Sequence, residues 1–190
     1  MAAQVPDNLR SQLGKIGLKV EELEAEGKLE IWDWYSATLG QVSKEKSRHQ
    51  ILIQPDSLKA ADSSIIWGKE MKSVMAGEPY PQYLRIWDNC SVLARFNDDR
   101  AWVELLVTRV FPLGVPTKST LIAGVIRGVH SEWVYRQLED AADGVIDFKI
   151  EDIGEETRDV LRIRSMRNVG FDRRWHRLKI GENFEVTLEK

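Results

Sequence analysis

The chain has 190 residues, 43% of them hydrophobic and 30% charged, with a formal net charge of −3. That is enough chain for one domain with a sizeable core, and the composition is that of an ordinary globular protein. It excludes a disordered tail, a collagen-like repeat and a strongly basic nucleic-acid binder; no apolar run approaches a membrane span. Met1-Ala2-Ala3-Gln4-Val5-Pro6 has neither a basic region nor an apolar stretch, so no signal peptide is expected. The single cysteine, Cys90, excludes an internal disulfide, and the cytoplasm is the default compartment.

Pro6-Asp7 opens a helix, with Leu9, Leu13 and Ile16 on one face, and Val20 and Leu23 resume the pattern after Gly17. Gly27 reads as a C-terminal cap. Residues 29–35 are strand-like, 36–50 read as a loop, and Ile51-Leu52-Ile53 as a short strand. A helix is expected over 57–75, with Trp67, Met71, Val74 and Met75 as its inner face and Gly77 and Pro79 ending it.

Tyr83-Leu84-Arg85-Ile86-Trp87-Asp88-Asn89-Cys90-Ser91 is a short apolar run ending in a carboxylate. It reads as a buried strand that delivers Asp88 at its C-terminal edge, where open α/β sheets place ligands. On the pattern alone, the plainer reading is that Asp88 caps the following turn. Cys90 reads as a small core residue. Asp98-Asp99 caps a helix with Trp102, Leu105, Leu106, Val110 and Leu113 at helical spacing, and Pro112, Gly114 and Pro116 punctuate its end. Residues 120–126 form a second buried strand, Ser131 starts a helix carrying Val134, Leu138 and Ala142, and Val145 to Ile150 form a third strand. Two hairpin-like segments follow, one over 160–166 and one whose arms flank Gly181-Glu182-Asn183. This order argues for an α/β fold: a mostly parallel sheet with flanking helices and an antiparallel hairpin extension. No linker divides residues 1–190, so a single domain is expected, with a core of about 1–150 and an extension of about 151–190.

The chemistry-bearing motifs are sparse. A phosphate loop needs Gly-x4-Gly-Lys-Ser/Thr, whose amides wrap phosphates and whose lysine reaches the terminal one. The nearest run, Gly114 to Thr120, has Thr117 in place of the second glycine and leads into a strand. His49, His130 and His176 are scattered, without a metal-ligand spacing, and no nucleophile elbow exists. No catalytic residue and no metal site are expected. Charge is polarised: residues 21–30 are acidic, whereas Arg158, Arg162, Arg164, Arg167, Arg173, Arg174, Arg177 and Lys179 crowd residues 158–179. Trp175, inside Arg173-Arg174-Trp175-His176-Arg177, reads either as a hairpin aromatic among solvated arginines or as a ring able to stack on a base or a partner's arginine.

Four stretches in this order resemble the KaiC-like family of RecA-superfamily ATPases. They are Asp7-Asn8-Leu9-Arg10 through Leu29, Arg85-Ile86-Trp87-Asp88-Asn89, Trp133 through Asp147, and Val160 through Arg167. The resemblance implies that Asp88 and Asn89 are the remnant of a nucleotide and metal site, since Asp88 falls where the family's magnesium-orienting strand ends. It implies that the hairpin around Arg164 and Arg167 faces a neighbouring subunit's nucleotide. Ser165 stands where the family usually has lysine. The family's phosphate loop and catalytic glutamates would precede Met1, so the resemblance implies a degenerate or N-terminally truncated member. ATP and magnesium are then cofactors only if that segment is supplied. A central strand missing from the sheet would leave unpaired backbone groups, so a homo-oligomer or a protein partner is expected. The leading functional reading is a catalytically inactive regulatory, signalling or assembly domain. The alternatives are part of an active ATPase, and a nucleic-acid binder that uses the basic C-terminal region.

Overall fold

Pro6 occupies the first turn of helix α1 (Pro6–Lys15), where its missing amide costs no hydrogen bond. Helix α2 (Val20–Ala25) follows, and Arg10 ties the two: its Nη2 donates to Glu24 Oε1 at 2.8 Å and its Nε to Oε2 at 3.0 Å. Gly27 stops α2 with φ +69°, a left-handed conformation open to glycine, and the Lys28 and Leu29 amides turn back onto the Leu23 carbonyl. This computed structural model describes residues 6–31, 84–91, 98–182 and 185–189. The expected loop over 36–50, strand over 51–53 and helix over 57–75 lie outside the described residues. So do residues 32–35 of the strand-like run; residues 29–31 carry no strand.

Strands β1 (Leu84–Trp87) and β2 (Thr120–Ala123) pair in parallel, Leu84 opposite Thr120 and Trp87 opposite Ala123. Before β2 runs helix α3 (Asp99–Leu105). Asp98 takes the cap position, but its side chain makes no capping bond; its carbonyl accepts the Trp102 amide at 3.0 Å. The helix runs past the expected stop. It widens into a π turn (Leu106–Val110), tightens into a 3₁₀ turn (Phe111–Leu113) and ends in the short α4 (Gly114–Thr117). Pro112 sits at the start of the 3₁₀ turn, where a missing amide is tolerated. Helix α5 (Glu132–Ala141) starts after Ser131 as expected and buries Val134, Tyr135 and Leu138.

The core is built here. Cys90, Trp102, Val103, Leu106, Val110, Val134 and Leu138 pack together, and Trp87, Leu121 and Ala123 close over them from the strands. Complete burial of a Leu or Val side chain contributes about 1.5–3 kcal/mol. Because strands alternate, Leu84, Ile86 and Ile122 fall on the opposite face and stay exposed. Both strands were expected to be buried; among the described residues one face lies against the helices, and Leu84, Ile86 and Ile122 on the other are exposed.

The third strand, expected over Val145–Ile150, extends over Gly144–Ile153 as β3 and turns back antiparallel into β4 (Glu156–Met166). The turn is only Gly154-Glu155, with Gly154 at φ +66°, the left-handed geometry that two-residue hairpins need. Strands β5 (His176–Ile180) and β6 (Val186–Glu189) complete a four-stranded sheet in the order β3-β4-β5-β6. The architecture is mixed α/β: a short parallel pair beside helices, and a larger antiparallel sheet.

Candidate functional site

The parallel pair ends at the first candidate site. Beyond β1 the chain turns through Asp88 and Asn89, whose shared peptide bond is cis. The turn is laced to the end of β2. The Gly124 amide donates to the Trp87 carbonyl at 2.9 Å, and the Cys90 amide donates to the Gly124 carbonyl at 2.8 Å. A Cβ on Gly124 would stand 3.5 Å from the Trp87 carbonyl oxygen and 3.6 Å from Asn89 Cβ. One residue further, the buried Ser91 hydroxyl accepts the Ile126 amide at 2.9 Å. Asp88 therefore stands half-buried at the C-terminal edge of parallel strands, the edge at which such sheets receive ligands. Asn89 Oδ1 is buried without a hydrogen-bond partner among the described residues.

This donor set does not by itself fit a magnesium nucleotide. Among the described residues no three His, Cys, Asp or Glu side chains gather as a metal site. A lone carboxylate repels phosphate unless a metal and a cradle of amides stand between them. Neighbouring Cys90 is inert: burial pushes its thiol up to about 12, and Asp88 pushes in the same direction.

The loop after β2 is held by Tyr135. Its hydroxyl donates to the Ile126 carbonyl at 2.8 Å and accepts the Val129 and His130 amides at 3.1 and 3.0 Å. His130 stacks on Trp102 with ring centroids 4.9 Å apart, and its Nδ1 lies 3.7 Å from Asp99.

Arg164 and Arg167 lie on or next to β4, in the other sheet. Ile163 faces Ile146 and Ser165 faces Val145, so Arg164 is the extra residue of a β-bulge. A bulge re-aims its side chain. Arg164 thereby joins Arg162 on Asp147: Nη2 of Arg164 binds Asp147 Oδ1, and Arg162 Nε donates to Oδ2 at 2.9 Å. Arg164 Nη1 also donates to Glu139 Oε1 of α5 at 2.5 Å, and Arg127 of the loop after β2 binds the same oxygen. Hydrogen bonds from Arg164, aided by Arg162, hold the Asp147 carboxyl below the usual range. Asp147 in turn raises the Arg164 guanidinium. Arg167 is tied to the end of α5: its amide donates to the Asp143 carbonyl at 2.8 Å, and its side chain binds the Asp140 carbonyl.

Trp175 is half-buried between two cations of the adjacent strands. Lys149 Nζ lies 4.0 Å and the Arg162 guanidinium 4.5 Å from a ring centroid. Both belong to the sheet face on which Val160 is buried. Arg173 leans on Phe171 at 5.2 Å, and Arg174 grips Asp172, which also lies 3.4 Å from His176 Nε2. Arg177 pairs in register with Glu189 of β6. Arg158 binds Glu156 at 2.7 Å and Lys179 binds Glu189 at 2.6 Å. The basic run of 158–179 is thus interleaved with carboxylates. Glu139, Asp147 and Lys149, which organise it, were not singled out from the sequence. The available signal was two acidic residues at the ends of an α5–β3 unit preceding a basic strand.

No protein-family model matches the chain. No curated protein matches it. Among solved structures the chain is similar to a KaiC-like protein of the hyperthermophilic archaeon Pyrococcus horikoshii, with a TM-score of 0.64 and 19% identity, over 99% of this chain and 74% of that one. At that identity the likeness concerns the backbone architecture. With a short parallel pair and an antiparallel hairpin sheet beyond it, the chain shares the backbone fold of that KaiC-like protein.

Proposed function

We propose that this chain is a KaiC-like domain that works in the cytoplasm as a regulatory, signalling or assembly module, and does not itself hydrolyse nucleotide. The observation that carries the reading is the commitment of Arg164 and Arg167 to their own chain. A guanidinium that reaches a neighbour's phosphates must be available, yet Arg164 is bound by Asp147 and Glu139, and Arg167 by the end of α5. That no group of three His, Cys, Asp or Glu side chains gathers at Asp88 among the described residues supports the same reading, as does the lack of any Gly-x4-Gly-Lys-Ser/Thr run within the 190 residues. The interleaved acids of the basic run weigh against nucleic-acid binding, because phosphate contacts would first have to displace Glu156, Glu189, Asp147 and Asp172.

Calorimetric titration of the purified chain with ATP and magnesium tests this. No heat of binding and no phosphate release are expected. Saturable binding accompanied by turnover would overturn the proposal.

A further inference from the structure

The antiparallel sheet runs β3-β4-β5-β6, so β3 is an edge, and at ten residues it is a long one. Among the described residues no strand lies beyond it. Neither face of the sheet is free of charge. Asp147, Lys149 and Arg162 share one face, and Asp159 and His176 stand opposite Ile150 and Leu161 on the other, more apolar one. The edge is the more distinctive surface, because its backbone supplies directed donors and acceptors. Which of these point outward follows from the turn. Across a two-residue turn the flanking pair is hydrogen bonded, and opposed pairs alternate from there. Counting back from Ile153 opposite Glu156, the odd-numbered residues of β3 bond to β4. The amides and carbonyls of Ile146, Phe148 and Ile150 therefore face the free edge. The bulge lies at the start of this run, at Val145/Ile146, and no proline blunts the strand.

The side chains of this run complement their own reversal. In Ile146-Asp147-Phe148-Lys149-Ile150 the apolar residues are symmetric about Phe148 and the two charges are opposite. An antiparallel second copy of the strand, centred on Phe148, sets Phe148 against Phe148, Ile146 against Ile150 and Asp147 against Lys149. The hydrogen-bonded pairs are then the even-numbered ones, whose backbone faces outward, and about six main-chain bonds form. Opposite charges directly across a strand pair attract, and like charges repel. The other registers fail on this ground or on burial. Sliding by two residues sets Lys149 against Lys149 one way and Asp147 against Asp147 the other, and sliding by four sets Phe148 against Asp152. An edge lysine ordinarily keeps a second strand away; here it meets a carboxylate. Lys149 already contacts Glu151 at 2.5 Å, yet its side chain is 42% exposed, and an ammonium carries three donors.

We propose that two copies of this chain pair antiparallel through the edge of β3, joining their four-stranded sheets into one continuous sheet about a two-fold axis at Phe148. This deepens the assembly reading given above and rests on it.

The test is sedimentation of the full chain over a micromolar concentration series. Wild type is expected to dimerise; a monomeric wild type overturns the proposal, because whatever covers the edge is then not a second copy. Phe148→Ala and Phe148→Pro both remove the ring, but only proline removes the outward amide, and it does so without taking a bond from β4. The proline variant is expected to associate on the order of 100-fold more weakly than the alanine variant. Equal association of the two overturns the proposal. Lys149→Glu opposes carboxylate to carboxylate across the edge and is expected to weaken the dimer about 10-fold; unchanged association overturns the register. If the proline variant does not fold, spin labels decide. A label at Phe148→Cys is expected to give a short distance between copies and one at Ile153→Cys a distance of about 30 Å, from a rise of about 3.4 Å per residue on each side of the axis. The reverse order overturns the proposal. Cys90, being buried, does not take the label. ATP turnover by wild type refutes the regulatory reading without touching the dimer, so the two failures are distinguishable.

Discussion

The two sheets solve the same problem in opposite ways. The parallel pair β1–β2 is small, but one of its faces lies against α3 and α5, and its stability comes from complete burial of Trp102, Leu106 and Val134. The antiparallel sheet is twice as wide, and among its described strands only Val160 is buried. What organises it within the chain is register, one tight turn and a lattice of ion pairs. Exposed ion pairs contribute little each, so the two regions should differ sharply in how they respond to substitution.

The largest expected effect is Trp102→Ala. Trp102 is fully buried at the centre of the helical core, and its removal is expected to cost about 3–5 kcal/mol in urea unfolding. A cost below 1 kcal/mol would mean that the core is not where cohesion lies. Next comes Arg164→Met, which frees Glu139 of one partner and leaves Asp147 to Arg162 alone. A loss of about 1–2 kcal/mol is expected. If Arg164 contributes nothing to stability, its role is outward-facing after all and the proposed function weakens.

Acid should sharpen the contrast. The Asp147 carboxyl is held below its ordinary range in the folded state by Arg164 and Arg162. A depressed folded value means that the stabilisation is complete above about pH 4, the unfolded value, and is lost as pH falls through the folded one. Asp147→Asn is expected to be less stable at neutral pH and to show a shallower acid slope below pH 4. An unchanged slope would show that Asp147 is not the titrating group. The smallest effect belongs to the apolar face. Phe148→Ala, at an exposed position, should move the stability of the monomer by less than about 0.5 kcal/mol.

Much of this arrangement was legible in the residues. The strand ending at Asp88, the helix after Ser131, the β5–β6 hairpin around Gly181 and the cap at Gly27 all follow from apolar periodicity and turn chemistry, which act over a few residues. Residues 160–166, expected as a hairpin, instead run within the single strand β4, and the chain turns back only at Gly154-Glu155. What periodicity does not report is how many faces of an element are covered. Leu84 and Ile86 look like core residues in a string, and only the placement of the helices leaves them bare. The helical run was expected to end about Leu113; that it widens into a π turn, tightens at Pro112 and continues to Thr117 is not marked by apolar spacing, which reports the face of a helix and not its bonding pattern. Arg164 reads as one arginine in a basic run. Its role depends on a bulge opposite the Val145–Ile146 step, which is a relation between two strands and leaves no mark in either alone.

Glu139 carries a final consequence. A single carboxylate oxygen receives both Arg127, from the loop after β2, and Arg164, from the bulge of β4. The two segments are therefore epistatic through a residue that belongs to neither. Reversing the charge with Glu139→Lys cannot be rescued by Arg164→Glu alone, because Arg127 would still face a cation. Restoration needs both arginines changed together, so descendants of this sequence should cross that position rarely and by way of intermediates in which the carboxylate is first neutralised.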